Sequence, residues 1–395
     1  MTPVGALDVV VAPDKFKGSL AAVEVASIVA AAIRRHSPSA KVTEHPVADG
    51  GEGTVALALA HGFSPVTIAV SGPLGLPVPA TYAIRGTVAI LETASAAGLG
   101  LLLGPPTVGT AHDATTFGVG ELILDALARG ATQVVVGAGG SASTDGGAGA
   151  VEALGVDVAA LGRTPHQRGA RRAGLLPRLA GVDLVVACDV DNPLLGPSGA
   201  ATVYAPQKGA DESLVTELEQ QLTDWADHVT TLTGRDVRTL PGAGAAGGLA
   251  YGLVALAGAR VVSGLRTMAQ LTGLDAAVET ADLVVIGEGS LDSQSLRGKG
   301  PIGVARMAAH HDCTVVAVTG RNLLTEADAL AAGLAAVYSL QDDEPDRDVC
   351  MRDAARLLEA AAEHLARDWV PVLATRSGSR SVGHAAAEPA PSTVR

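Results

Sequence analysis

Aromatic side chains are scarce: Phe, Tyr and Trp together make up 2% of the 395 residues. The core must therefore be built from Val, Leu, Ile and Ala, which suits buried parallel strands under tightly packed helices. Cysteine is scarce too. Cys188, Cys313 and Cys350 are odd in number and far apart, which argues against a disulfide framework and suits reduced thiols in a cytoplasmic protein. Positive charge is outweighed, with 28 Lys and Arg against 41 Asp and Glu and a net charge of -13. Neither nucleic acid nor an anionic membrane surface is expected as a partner. No apolar run is long enough to span a bilayer. The opening MTPVGALDVVVAP has no basic n-region and meets a proline too early for a signal peptide. There is no GxxxxGK[ST] and no GxSxG, so a Walker loop and a nucleophile elbow are not supported. No His/Cys metal cluster is legible.

Glycine is abundant, at 48 residues without a G-X-Y period. It concentrates in four acid-bearing loops, each after a β-branched run: APDKFKGSL (Ala12–Leu20), VADGGEGT (Val47–Thr54), GAGGSASTDGGAG (Gly137–Gly149) and IGEGSLDSQSLRGKG (Ile286–Gly300). A fifth, CDVDNPLLGPSGA (Cys188–Ala200), has the same placement and fewer glycines. Glycine lets backbone N–H groups approach a ligand closely. Loops of this kind collect at the carboxyl edge of a parallel sheet, where open α/β folds bind ligands. The pattern predicts an enzyme acting on a phosphorylated, metal-bound small molecule.

The periodicity predicts a strand over Leu7–Ala12, a helix over Leu20–Arg35 capped by Ser19, and a strand over Lys41–Val47. A short helix to Ala60 follows, opened by Thr54 or Glu52. Val66–Val70, Ala80–Ile84 and Thr87–Leu91 read as antiparallel, with Arg85-Gly86 as a hairpin turn. Further expected elements are helix Val119–Arg129, strands Gln133–Val136 and Val182–Ala187, helix Glu212–Leu232 and a glycine-rich helix Ala246–Ala259. The βα rhythm then returns with strand Asp282–Ile286, helix Ile302–His310, strands Thr314–Val318 and Ala335–Tyr338, and helix Arg347–Arg367. The expected organisation is one parallel-sheet domain from residues 1–69 and 282–372, an inserted α/β domain over 70–281, and a disordered tail over 373–395.

Each loop carries candidate chemistry. Asp14, Lys15, Lys17 and Ser19 crowd one βα turn before a helix N-terminus, where anions bind; solvated turn lysines are the alternative. Asp49 suits catalysis or Mg²⁺, whereas Glu52 reads equally as an acid countering a helix dipole. Gly139, Gly140 and Ser141 can form an anion nest, with Asp145 beside them. Asp189 ends a buried strand and is the first choice as the base for a hydroxyl nucleophile, with Asp49 second. Asn192 and Asp191 fit either a ligand or an Asx-turn before Pro193, and Lys208 is a phosphate candidate. Glu288, Asp292 and Lys299 suit metal and phosphate, against a reading as solvated turn charges. Asp14, Asp49, Asp189 and Glu288 are expected to line one cleft. Gly137-x-Gly139-x-x-Ala142 and Gly242-x-Gly244-x-x-Gly247 match the dinucleotide fingerprint weakly, without the expected ribose-binding acid. They keep open a dinucleotide-dependent oxidoreductase of a small hydroxy acid; a non-catalytic α/β binding protein is the other alternative.

Taken together, APDKFKGSL, PVADGGEGT, GPLGLPV, TTFGVGELILDAL, GGSASTDGGAG, ACDVDNPLLGPSGA, APQKGA, PGAGAAGGL and GEGSLDSQSLRGKGPIGVA resemble the bacterial glycerate kinase family. The resemblance implies a flavodoxin-like domain built from both chain ends with an inserted second α/β domain. It also implies ATP- and Mg²⁺-dependent phosphorylation of D-glycerate to 2-phosphoglycerate, the 3-phosphate being the alternative product, by a monomer or homodimer. Three departures stand out. The segment 157–178 is short and arginine-rich, Thr144 stands where Asn is common, and Lys15 occupies a position often held by Ser. None removes a candidate catalytic group.

Overall fold

The structure is a computed structural model that describes residues 6–48, 50–161, 179–297, 300–311 and 313–380. The chain divides into two compact units, Met1–Val47 with Gly273–Arg395, and Ala48–Thr272.

The first unit is built on five parallel strands: β1 (Asp8–Pro13), β2 (Lys41–Glu44), β9 (Leu283–Leu291), β10 (Thr314–Asn322) and β11 (Ala336–Ser339). Their spatial order is β11-β10-β9-β1-β2. Counted within the unit this is the 2-1-3-4-5 order of flavodoxin-like sheets. The two chain ends meet where β1 pairs with β9, Val10 opposite Val284. Val9, Val11, Leu283, Val285, Val316 and Val318 form the sheet side of the core, with Val25, Val29 and Ile33 of helix Ala22–His36 and Leu358 and Leu365 of helix Ala354–Arg380.

Four local expectations are corrected here. Ser19 is not the helix cap. Its hydroxyl donates to the Phe16 carbonyl at 3.1 Å, closing a turn, and the helix starts two residues later behind Ala21, whose N–H donates to Glu24 at 2.8 Å. Strand β9 runs to Leu291, so Glu288 lies on a strand rather than in a loop. The helix expected over Arg347–Arg367 is two, Arg347–Arg352 and Ala354–Arg380. The second reaches beyond 373, with Leu373 buried against the core, so the expected tail is helical as far as 380; residues 381–395 lie outside the described residues.

The second unit holds a six-stranded sheet in the order β3-β4-β5-β6-β7-β8. β3 (Ser64–Ser71), β4 (Pro77–Arg85) and β5 (Val88–Glu92) are antiparallel, with β4 and β5 joined at the Arg85-Gly86 turn. β5, β6 (Gln133–Gly137), β7 (Asp183–Ala187) and β8 (Arg260–Val262) are parallel. Helix Thr54–Ala60 buries Val55, Leu57 and Ala58 among Ala83, Ile90, Val135 and Val185 of this sheet. That burial and the β3–β4 ladder draw residues 48–69 into the second unit. The unit borders therefore fall at 47/48 and 272/273, not at 69/70 and 281/282.

The glycine-rich helix Ala245–Ala257 is almost wholly buried, but Ala246, Gly247 and Gly248 are left-handed within it. Gly247 approaches the Ser143 carbonyl so closely that a Cβ there would overlap it. Cys188, Cys313 and Cys350 are all free thiols. Among the described residues no helix is long and apolar enough to cross a membrane.

Candidate active site

In the first unit two of the acid-bearing segments meet at the carboxyl edge of the parallel sheet. The Asp14 N–H donates to the Gly287 carbonyl at 2.8 Å, and the Lys17 backbone nitrogen lies 3.2 Å from where a Cβ on Gly289 would stand. The turn from 14 to 19 therefore packs directly on β9 beside Glu288. The Lys15 N–H donates to Asp14 Oδ1 at 2.7 Å, and Lys17 is exposed. Gly300, at the start of helix Gly300–Ala308, faces Asp14 Oδ2, with its Cβ position 3.6 Å away.

Glu288 is the most perturbed acid of this cluster. Its Oε2 accepts from Ser295 Oγ at 2.9 Å, and its buried Oε1 has no hydrogen-bond partner. Burial pushes its carboxyl up to about 7, the neighbouring charges of Asp14 and Asp292 push the same way, and the Ser295 bond opposes them. Asp292 makes an Asx-type turn, its Oδ1 accepting from Gln294 and Ser295 N–H. Among the described residues no group of three or more His, Cys, Asp or Glu could hold a metal ion. Mg²⁺ carried on phosphates needs only one or two carboxylates, however, and the orphaned Glu288 oxygen beside Asp14 and Asp292 fits that demand. Lys299 and Asp49 lie outside the described residues.

In the second unit three loops converge at the sheet's carboxyl edge. A Cβ on Gly50, whose φ is +84°, would overlap the Ala187 carbonyl; one on Gly139 would stand 2.6 Å from Gly51 Cα. Only glycine permits these backbones to approach so closely. Glu92, at the end of β5, was not singled out in the sequence. It accepts from Gly53 N at 3.0 Å and Val55 N at 2.6 Å, fixing the start of helix Thr54–Ala60. Its signal is an acid at the end of the apolar strand VAILE.

Asp189 is held by three donors: Ser263 Oγ at 2.8 Å and Gly264 N at 3.1 Å on Oδ1, and Leu265 N at 3.0 Å on Oδ2. It caps helix Gly264–Thr272 and lines an open cleft of about 610 Å³ with Val190, Asp191, Pro241 and Ser263. Asn192 is engaged at both ends of its amide, donating to Ser198 O and accepting from Tyr204 OH.

Asp145 is also committed within the protein. It accepts from Thr116 N and Oγ1 at 2.8 Å each, from Thr115 Oγ1, and from Gly147 and Gly149 N. Ser141 Oγ accepts from the buried Lys208 Nζ at 2.9 Å, and Nζ also donates to the Ser143 carbonyl. Gly140, immediately before Ser141, takes a left-handed φ of +68°. Neither dinucleotide fingerprint opens a helix straight from a strand. The first is followed by irregular chain to helix Ala148–Ala153, and the second leads into the left-handed stretch at 246–248. The expected cleft joined Asp14, Asp49, Asp189 and Glu288. Asp14 and Glu288 lie together in the first unit, and Asp189 belongs to the second.

A family model described as the glycerate kinase family matches residues 9–370. The chain belongs to the glycerate kinase family. A glycerate kinase of Halalkalibacterium halodurans is 39% identical over 370 residues, covering 91% of this chain and 97% of the relative. A glycerate 2-kinase of Escherichia coli is 40% identical over 326 residues, covering 80% of this chain and 85% of the relative. The crystal structure of a candidate glycerate kinase 2 from Salmonella typhimurium superposes with a TM-score of 0.73 at 36% identity, covering 96% of this chain and all of that one. The flavodoxin-like strand order and the acid-bearing loops are thus those of a glycerate kinase family member.

Proposed function

We propose that the chain transfers the terminal phosphoryl group of ATP to the 2-hydroxyl of D-glycerate, giving 2-phosphoglycerate and ADP. Family membership carries this reading, and the named activity of the Escherichia coli relative points to the 2-position. The geometry supports it: acids, lysines and close-packed glycines lie at the carboxyl edge of each sheet, where α/β folds bind small ligands. Phosphoryl transfer asks a protein mainly for positioning and charge neutralisation.

In this reading Lys15, Lys17, Ser19 and Lys299 meet phosphate or the substrate carboxylate, and the backbone N–H groups of Gly139, Gly140 and Ser141 face an anion. Glu288 and Asp292 would hold Mg²⁺ carried on the phosphates, which would neutralise phosphate charge during transfer. Asp189, fixed by Ser263, Gly264 and Leu265, accepts the proton of the attacking hydroxyl.

The decisive assay measures ADP release with D-glycerate, L-glycerate, glycerol and tartronate. Release is expected with D-glycerate, and glycerol, which lacks the carboxylate, should be poor. No release with any of them, from folded protein, would overturn the reading. Lys17 offers a second check, because it is exposed within the 14–19 turn. Lys17→Met keeps the apolar stem and should lower turnover or raise KM while leaving the melting temperature nearly unchanged. Unaltered kinetics would return Lys17 to a solvated turn charge.

A further inference from the structure

We propose that Lys208 is a positioning residue for the phosphoryl-transfer site, bracing the glycine-rich loop 139–145 from inside the second unit rather than touching the ligand. The proposal rests on the phosphotransferase reading above and deepens it. Lys208 closes the short turn Pro206–Lys208 and is only 3% exposed. Lysine is almost never buried to that degree unless its ammonium is engaged. Its two acceptors are both neutral and both in the loop, Ser141 Oγ and the Ser143 carbonyl. The side chain therefore reaches across sequence to hold the loop at its middle.

Asp145 holds the same loop at its far end through Thr115, Thr116, Gly147 and Gly149. Between the two anchors, Ser143 Oγ and Thr144 Oγ1 are buried without hydrogen-bond partners. A loop bonded only through its backbone would not bury free hydroxyls at a cost; one braced from below can hold them in place. A buried ammonium facing neutral acceptors is itself a poor stabiliser, so packing alone does not account for Lys208. Burial pushes its amine down to about 7, against the attraction of Asp145, which agrees with an environment built for a purpose other than stability.

The test compares wild type, Lys208→Met and Ser141→Ala by steady-state kinetics and by amide hydrogen exchange across 137–149. Lys208→Met should lower kcat at least tenfold, change KM less, and speed exchange in this loop while other segments keep their protection. Ser141→Ala removes one acceptor and should lower kcat several-fold, with an effect that does not add to that of Lys208→Met. Unchanged kcat in both variants would overturn the proposal. So would lowered kcat with unchanged loop exchange, which would make Lys208 a direct ligand contact. If Lys208→Met does not fold, Ser141→Ala decides by the same two readouts. Should wild type turn over no hydroxy acid, the functional reading fails, and loop exchange still decides whether Lys208 braces the loop.

Discussion

Asp189→Asn is expected to lower kcat by about 10²–10⁴, the usual cost of removing a general base. The side chain stays nearly isosteric, and Oδ1 can still accept from Ser263 and Gly264. Placed at Oδ2, the new amide group would face the Leu265 N–H, donor against donor. One helix-capping bond is then lost, a cost of about 1 kcal/mol. The two roles separate cleanly in measurement. A base predicts a large fall in kcat with glycerate binding kept and a small drop in melting temperature. A cap alone predicts the small drop in melting temperature with kcat close to normal, and that outcome would move the base elsewhere, with Asp49 next in line.

Glu288→Gln should change how stability depends on pH. The Glu288 carboxyl is raised from 4.5 to about 7 in the folded chain, chiefly by burial. A raised acid favours the folded state fully below the unfolded value, and that contribution is lost as pH climbs through the folded one. The window is therefore about pH 4.5 to 7, and at about 1.36 kcal/mol per unit the loss is on the order of 3 kcal/mol. Glutamine carries no charge and lacks this loss. Urea unfolding of both proteins at pH 4.5, 6 and 8 should show the variant gaining on wild type as pH rises. A difference that stays constant across the window would contradict the raised carboxyl. The same substitution should lower activity, since it removes a carboxylate from the proposed Mg²⁺ set.

Much of the architecture is written in local runs. Leu7–Ala12, Thr314–Val318 and Gln133–Val136 are short and rich in β-branched residues, so each is found as a strand close to its expected place. What escaped depends on partners distant in sequence. Helix Thr54–Ala60 follows a βα pattern that fits the first domain; only its burial against Ile90 and Val185 assigns it to the second. Strand β8 is three residues long and gains its identity from pairing with β7, some 75 positions earlier. The cap of helix Ala22–His36 hinges on Glu24 reaching back to Ala21, while the better capping residue, Ser19, is taken by the Phe16 turn.

The site divides in the same way. Clustering of acids with glycine correctly marked the loops that meet at the sheet edges. The duty of each side chain was not legible, because it is set by donors elsewhere: Ser263 to Leu265 for Asp189, Thr115 and Thr116 for Asp145, Tyr204 for Asn192. Glu288 became distinctive only once burial and the charges of Asp14 and Asp292 acted on it together.

The central claim is transfer of phosphate from ATP to one hydroxyl of D-glycerate. Proton-coupled phosphorus NMR of the product tests it most directly. Phosphate on the 2-hydroxyl is coupled to the single methine proton and should give a doublet, appearing together with the ADP resonances. A triplet, from coupling to the two methylene protons, would identify 3-phosphoglycerate and contradict the proposed position. No phosphoester signal at all, from folded protein supplied with ATP, Mg²⁺ and D-glycerate, would contradict the phosphotransferase account itself.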